Sequence, residues 1–149
     1  YVCLPPFAHL DEVEQAADAR RWRASFGVGV IRSALEPGYT LTRLADDLVD
    51  GRPVYTVRVT DPAGGQTLFG IARENYRILR LAFDTSRGWH ERIYSDFFRK
   101  PGVDWLQPGR VRVYYDGVRQ SELFWTAFQV DTDIPDARFV PGPAEPAAP

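Results

Sequence analysis

Residues that could do acid–base chemistry are few in this sequence, which has two histidines and one cysteine among 149 residues. His90 has Glu91 beside it and Asp84 and Asp96 nearby, so a histidine–carboxylate pair is one hypothesis. On a strand, however, adjacent side chains point to opposite faces, so His90 and Glu91 cannot act together. We therefore expect a His90 that lies at the surface or at a strand end, with catalysis as the weaker alternative.

Metal and nucleotide sites are also poorly supported by the residue types. Two histidines and one cysteine, far apart in the chain, do not make up a zinc ligand set. Asp131, Asp133 and Asp136 are spaced like part of a calcium loop, but the turn glycine and the distal glutamate are missing. Gly64 and Gly65 lack the spacing of a phosphate-binding loop. We predict no catalytic residue, no metal and no cofactor.

Composition narrows the class of protein further. With 44% hydrophobic and 26% charged residues, the chain has the balance of one globular domain. Its formal net charge of -2 lacks the basic excess that phosphate binding requires, so we expect no nucleic-acid partner. No stretch approaches the roughly 20 apolar residues that span a bilayer, so we do not expect a membrane-spanning protein.

The elements that would position any functional residue are one helix followed by strands. Residues 11–23 lack glycine and proline, are rich in helix-favouring types, and have acidic residues first and arginines last, which predicts a helix. From residue 39 onward, turn signals separate short apolar segments, which predicts an antiparallel meander. The predicted strands are residues 40–49, 54–60, 67–72, 77–84, 89–97, 111–115 and 122–130.

Alternation within these strands predicts one apolar face and one polar face. Tyr55, Val57 and Val59 alternate with Thr56, Arg58 and Thr60, and the segments around Leu81 and Val113 behave in the same way. The last strand differs, because Leu123 and Trp125 would face one side while Phe124, Phe128 and Val130 face the other. We expect both sides of that strand to be covered, by this chain or by a partner.

The aromatic content, 20 Phe, Trp and Tyr residues, has two interpretations. The rings either fill a core or line a ligand cavity, the second if the sheet curves into an incomplete barrel. The residues predicted to line an apolar concave face are Tyr55, Val57, Val59, Leu79, Leu81, Phe83, Ile93, Phe97, Val111, Val113, Phe124 and Phe128.

Motifs between residues 48 and 141 resemble the C-terminal part of the outer-membrane lipoprotein-sorting carrier family. The motifs, in order, are Val49-Asp50-Gly51-Arg52-Pro53, a strand containing Tyr55, Tyr94-Ser95-Asp96-Phe97, Pro101-Gly102-Val103, Pro108, Tyr115-Asp116-Gly117 and the closing Asp133-Ile134-Pro135-Asp136-Ala137-Arg138-Phe139. The family's long helix and first strands precede this region. The chain is therefore expected to be either a shortened member or a domain whose N-terminal part lies on another piece of chain.

The resemblance implies an α+β fold, an antiparallel open half-barrel with an N-terminal helix against its concave face. It also implies a non-enzymatic, periplasmic or otherwise exported bacterial carrier that shields an acyl chain, with a lipid or acylated protein as partner. We expect residues 1–139 to form this domain and residues 140–149, rich in proline and alanine, to be a disordered tail. The alternative is a protein-docking or sensor module that uses the sheet edge and exposed aromatic residues.

Overall fold

The N-terminal helix begins with a capping box. The computed structural model describes residues 11–25, 31, 33–129 and 135. Helix α1 spans Glu12–Ser25, close to the predicted range. Asp11 Oδ1 accepts hydrogen bonds from the backbone N–H groups of Val13 and Glu14, both at 2.9 Å, and the Glu14 carboxylate accepts the N–H of Asp11 at 3.0 Å. These bonds satisfy donors that the first helical turn leaves without a partner.

The strands that follow are short and are joined mainly by tight turns. Their bounds are β1 Thr40–Arg43, β2 Asp47–Val49, β3 Arg52–Thr60, β4 Gln66–Ala72, β5 Ile78–Thr85, β6 Gly88–Ser95, β7 Phe98–Arg99, β8 Leu106–Gln107, β9 Arg110–Tyr115 and β10 Val118–Phe124. Eight of them form one open sheet in the order β1-β3-β4-β5-β6-β9-β10, with β2 also paired to β3. Strands β7 and β8 form a separate pair. Each of these pairings is antiparallel, so the predicted α+β fold with an unclosed antiparallel sheet is confirmed.

Two predicted strands differ clearly from the structure, whereas the other five agree with it to within two residues at each end. The segment predicted as one strand from 40 to 49 is split into β1 and β2, and both pair with β3. The last strand, predicted over 122–130, instead begins at Val118 and ends at Phe124. Asp116 and Gly117 have φ values of 48° and 78°, which fit a two-residue hairpin turn and let β10 start directly after it.

One side of the sheet, here called the helix face, carries α1. Strand register places Val57, Phe69, Leu81 and Val113 in one row on this face, because directly paired residues point the same way. The apolar core on it contains Ala34, Val59, Phe69, Leu81 and Phe83, with Trp22 of α1 packed against them. The Trp22 ring lies edge-on to Phe83, with ring centroids 5.1 Å apart.

Polar contacts fix the orientation of α1 on the helix face. The buried Asp18 carboxylate accepts the backbone N–H of Ser86 at 2.8 Å, in the turn between β5 and β6. Arg21 donates to the carbonyl of Gln66 and forms an ion pair with Asp61 at 3.7 Å. Since these partners lie at the turns before β4 and β6, the helix is attached to one end of the sheet.

The opposite side, here called the hairpin face, is less polar than alternation predicts. Val49, Val54, Ala72 and Leu79 form a second buried cluster there. The β2–β3 hairpin extends over this side, because Asp47 binds Arg80 of β5 at 2.8 Å and Asp50 binds Arg112 of β9. The predicted polar side of the sheet is therefore partly covered by the chain's own hairpin.

A β-bulge at Leu79 separates the two clusters. Gly70 pairs with Arg80 and Ile71 pairs with Ile78, which leaves Leu79 as an extra residue in β5. Its side chain joins the cluster of the hairpin face, while Ile78 packs on the helix face. The prediction that Leu79 shares a face with Leu81 and Phe83 is wrong, because the extra residue shifts the alternation by one position.

Candidate ligand-binding site

An apolar cavity of about 600 Å³ opens on the helix face, at the end of the sheet that α1 leaves uncovered. Its lining comes from β4, β5 and β6, from the turn between β4 and β5, from the segment that follows β6, and from Ile31 in the segment before β1. The lining residues are Ile31, Phe69, Tyr76, Arg77, Ile78, Leu81, Tyr94, Phe97, Trp105, Leu106, Gln107 and Pro108.

The sheet supplies the floor of this cavity through register. Phe69 pairs with Leu81, and both are almost fully buried. Tyr94 lies two positions beyond Arg92, the partner of Leu81, and so points to the same face. Without the bulge, Ile78 would point to the hairpin face. The extra residue Leu79 shifts the alternation by one position, so Ile78 points to the helix face instead. The floor therefore consists of one aromatic and two aliphatic side chains, with Tyr94 beside them.

The segment between β6 and β9 builds the opposite wall. It folds as the β7–β8 pair, in which Phe98 faces Gln107 and Arg99 faces Leu106. Trp105 donates its indole N–H to the side-chain oxygen of Gln107 at 3.1 Å, which fixes the ring at the cavity. This ring is 43% exposed, as expected of an aromatic side chain at an opening.

Tyr76 stands at the rim of the cavity in an unusual backbone conformation. Its φ of 57° is rare for a bulky residue. Its backbone N–H donates to the carbonyl of Ala72 at 2.9 Å, which closes the turn between β4 and β5. The ring is 73% exposed and stacks on Tyr55, with ring centroids 6.5 Å apart. The turn thus holds a largely exposed aromatic ring beside the opening.

Polar side-chain groups interrupt the apolar lining at Tyr76, Arg77, Tyr94 and Gln107. The Arg77 guanidinium lies over the Phe97 ring, 5.5 Å from its centroid. Burial raises the pKa of the Tyr94 hydroxyl above its ordinary value, an effect that the nearby positive charge of Arg92 opposes. The phenol is therefore protonated at neutral pH and can donate a hydrogen bond.

His90 is not at the surface, so the prediction of a surface position is wrong, and it lies near one end of β6, as the third residue of that strand. It is 1% exposed on the helix face, where its ring lies 4.7 Å from Trp22, 5.1 Å from Phe83 and 4.9 Å from Tyr115. Burial, and then the positive charge of Arg92 and Arg87, lowers its pKa to about 4. Arg92 donates to Nε2 at 3.1 Å, so the imidazole is neutral and serves as an acceptor within a ring of aromatic side chains.

Glu91, the residue next to His90, lies on the hairpin face. There its carboxylate lies 3.9 Å from Arg80, and burial raises its pKa. Glu91 pairs in register with Ala82, whereas His90 pairs with Phe83. The prediction that the two side chains cannot act together is confirmed.

Metal-ligating groups do not gather in the part of the chain that the structure describes, where no three His, Cys, Asp or Glu side chains are grouped as a metal site. The calcium-like carboxylates at 131, 133 and 136 lie outside the described residues, as does the predicted tail at 140–149. Among the described helices, none is long and apolar enough to cross a membrane.

The residues predicted to bind a ligand are distributed over both faces. Seven lie on the helix face: Tyr55, Val57, Val59, Leu81, Phe83, Val111 and Val113. Three lie on the hairpin face instead: Leu79 through the bulge, Ile93 because it pairs with Arg80, and Phe124 because it pairs with Arg110. Phe97 follows β6, and Phe128 lies beyond β10 with its ring 5.6 Å from that of Phe98. Only Leu81 and Phe97 of the predicted set line the cavity.

Ten of the lining residues were not predicted. Some of them can be inferred from the pairing of the strands, and others have no signal in the sequence. Phe69 and Tyr94 follow from strand register once the hairpin turns are placed, because they are neighbours of Leu81 on one face. Trp105, Leu106 and Pro108 lie in a segment whose prolines and glycines indicate only a loop. No periodicity marks that segment as part of a site.

Comparisons with known proteins give two structural similarities. The sequence matches no family model and no curated protein. One similar structure is an outer membrane lipoprotein-sorting protein domain from Vibrio parahaemolyticus, 14% identical, with a TM-score of 0.42 over 62% of this chain and 44% of that chain. The other is a LolA superfamily protein from Nitrosomonas europaea, 16% identical, with a TM-score of 0.40 over 71% of this chain and 50% of that chain. The chain thus spans about half the length of these proteins or less.

Proposed function

We propose that this chain is a non-enzymatic binding domain that encloses an apolar group, such as an acyl chain, in the cavity on the helix face. The observation that carries the proposal is the cavity of about 600 Å³ with Phe69, Ile78, Leu81 and Phe97 among its lining residues. Ligand sites are typically concave, largely apolar and roughly 300–1,000 Å³ in volume. A filled core would leave no space of that size, since protein interiors are close-packed.

The energetic basis of binding would be burial of apolar surface. Each Å² of ligand surface removed from water contributes roughly 25 cal/mol before the costs of ordering are subtracted. The lining supplies few groups that would penalise this burial, because Gln107 already accepts from Trp105 and donates to the Pro108 carbonyl. An acyl chain therefore suits the cavity better than a polar metabolite does.

The biological role that we propose is that of an exported, periplasmic carrier similar to the lipoprotein-sorting proteins, with a lipid or an acylated protein as partner. The sequence resemblance between residues 48 and 141 supports this role. The position of His90 supports a role without catalysis, because an imidazole that is 1% exposed and enclosed by aromatic rings cannot reach a substrate.

A fluorescent fatty acid tests the proposal directly. Purified protein, stripped of co-purified lipid, is titrated with a dansyl-labelled undecanoic acid, and we expect saturable enhancement of the dansyl emission. In Ile78→Asp a carboxylate would stand on the cavity floor, where desolvating it costs several kcal/mol if it stays ionised. We expect that variant to lose at least tenfold in affinity, which is roughly 1.4 kcal/mol.

Leu48→Asp is the matched control, because Leu48 is 61% exposed on β2 and does not line the cavity. It introduces the same charge and should bind the probe like the unmodified protein. Thermal melting of both variants separates loss of the site from loss of the fold. Absence of probe binding in folded, delipidated protein would refute the binding function.

A docking or sensor module is the second candidate function, and the exposed side chains of β10 favour it. Val118 is 62% exposed, Phe124 68% and, just beyond the strand, Trp125 47%. Within the described residues, β10 is the last strand of the sheet and pairs only with β9. In this case, substitution of Trp125 and Phe124 would abolish capture of a protein partner, while the fatty-acid probe would not bind.

A further inference from the structure

We propose that the ligand is a single-chain amphiphile with a carboxylate headgroup, such as a fatty acid anion, and that Arg77 and Tyr94 recognise this headgroup. The inference rests on the proposed function, because it names the class of ligand for the same cavity. It depends on these two polar residues of the lining and on the volume of the cavity.

Arg77 provides a positive charge that forms no ion pair with a carboxylate of the described residues. Eight arginines of the described residues form ion pairs with carboxylates, and Arg77 is not among them. Its guanidinium lies over the Phe97 ring, 5.5 Å from the ring centroid, and both residues line the cavity. A guanidinium presents two parallel donors that fit a carboxylate.

Tyr94 provides a donor on the same lining. Its ring packs against the buried core, and Tyr94 pairs with Val111 in the sheet. Burial keeps the hydroxyl protonated. A phenol that lines the cavity can donate a hydrogen bond to a ligand oxygen. Both groups therefore point to a ligand with oxygen acceptors and a negative charge at one end.

The volume of the cavity suits one acyl chain. At about 600 Å³ it lies within the range of roughly 300–1,000 Å³ that is typical of small-molecule sites, which one chain with its headgroup can occupy. The ligand class that fits both volume and charge is thus a single-chain anion.

Three amphiphiles with the same chain separate the headgroup from the tail. Dodecanoate, dodecanol and dodecyltrimethylammonium, each below its micelle-forming concentration, are titrated against the bound dansyl probe in competition. We expect dodecanoate to compete at least tenfold more strongly than dodecanol, and the cation to compete most weakly. Charge-assisted hydrogen bonds account for a preference of this size.

Substitutions then assign the preference to residues. Arg77→Gln removes the charge and should lower dodecanoate affinity about tenfold while leaving dodecanol unchanged, whereas Arg77→Lys should restore much of the preference. Tyr94→Phe should weaken dodecanoate about fivefold through one lost hydrogen bond. Arg87→Gln is the matched control, because Arg87 also lies over an aromatic ring, Tyr115 at 4.5 Å, but does not line the cavity.

The outcomes distinguish this inference from the function on which it rests. Equal competition by the three amphiphiles, with Arg77→Gln indistinguishable from Arg87→Gln, would overturn the headgroup assignment and leave the apolar site intact. Failure of the dansyl probe to bind folded protein would overturn both. A carboxylate preference that Arg77→Gln abolishes and Arg77→Lys restores would support the inference even if Tyr94→Phe proves unstable.

Discussion

The two ends of the helix face carry similar apolar side chains but have different surroundings. At one end, Trp22 of α1 packs edge-on against Phe83 at 5.1 Å and lies 4.7 Å from His90, so the surface is filled. At the other end, Ile78 and Tyr94 border a cavity of about 600 Å³. The difference arises because the contacts of α1 lie at the turns before β4 and β6. Strand alternation decides which face is apolar, and the element packed on that face decides whether it is core or binding surface.

The largest effect expected from this contrast is on stability at the filled end. Phe83 is 0% exposed, and Phe83→Ala should lower the free energy of unfolding by about 3–5 kcal/mol, since it leaves a cavity among packed rings. Phe97→Ala, at the open end, should lower the free energy of unfolding by less than half of that amount, because Phe97 already borders the cavity. Denaturant unfolding monitored by circular dichroism measures both, and Phe124→Ala, at a side chain 68% exposed, is the control. Equal losses for Phe83 and Phe97 would contradict the contrast.

His90 should make the filled end sensitive to acid. Above pH 6.5 its ring is neutral in both the folded and the unfolded state, and between pH 6.5 and about 4 only the unfolded chain binds the proton. The free energy of unfolding should therefore fall as the pH is lowered through this window, by about 3 kcal/mol in total from this residue. Below about pH 4 both states are protonated, and this loss levels off.

The variant His90→Phe checks the assignment, because it keeps an aromatic ring and removes the titrating group. The difference in unfolding free energy between the variant and the unmodified protein should change with pH between 6.5 and 4 and stay constant above 6.5. Dansyl probe affinity should be unaffected at pH 7, since His90 does not line the cavity. A pH-independent difference would show that His90 has no perturbed pKa.

The smallest expected effect belongs to the rim of the open end. Trp105 is 43% exposed, so Trp105→Ala should change the free energy of unfolding by less than about 1 kcal/mol. The same change should weaken the dansyl probe roughly fivefold, because the ligand loses about 40 Å² of apolar contact, or about 1 kcal/mol. Trp89→Ala, on a ring 36% exposed away from the cavity, serves as the control and should not change probe affinity.

Much of the sheet could be predicted from local patterns, because its strands are paired through short turns. The alternation of Val57 with Arg58 and of Val113 with Arg112 correctly separates the faces, and Asp116-Gly117 correctly marks a hairpin. Composition also predicts helix α1 correctly. It does not predict which residues of the sheet the helix packs against. These features depend on residues that are near each other in the chain.

The candidate site was harder to predict because it depends on contacts between distant segments. Leu79 was assigned to the wrong face, since nothing in its own strand indicates an extra residue. The prediction of a surface or strand-end position for His90 misses its burial, because that burial depends on Trp22 from the distant helix α1 as well as on neighbouring strands. The cavity wall around Trp105 comes from a segment without periodicity. Tertiary packing rather than local preference decides all three.

The Leu79 bulge also determines how β5 could tolerate a change in length. Ile78 and Leu81 point to the helix face and Arg80 to the hairpin face, so removal of Leu79 alone would leave a strand with uninterrupted alternation. Deletion of one residue between positions 80 and 84 would have a different effect. The residues of β5 on one side of the deletion would then point to the opposite face of the sheet. At Leu79 the chain can lose a residue at the cost of one buried leucine, while the floor of the cavity keeps its orientation.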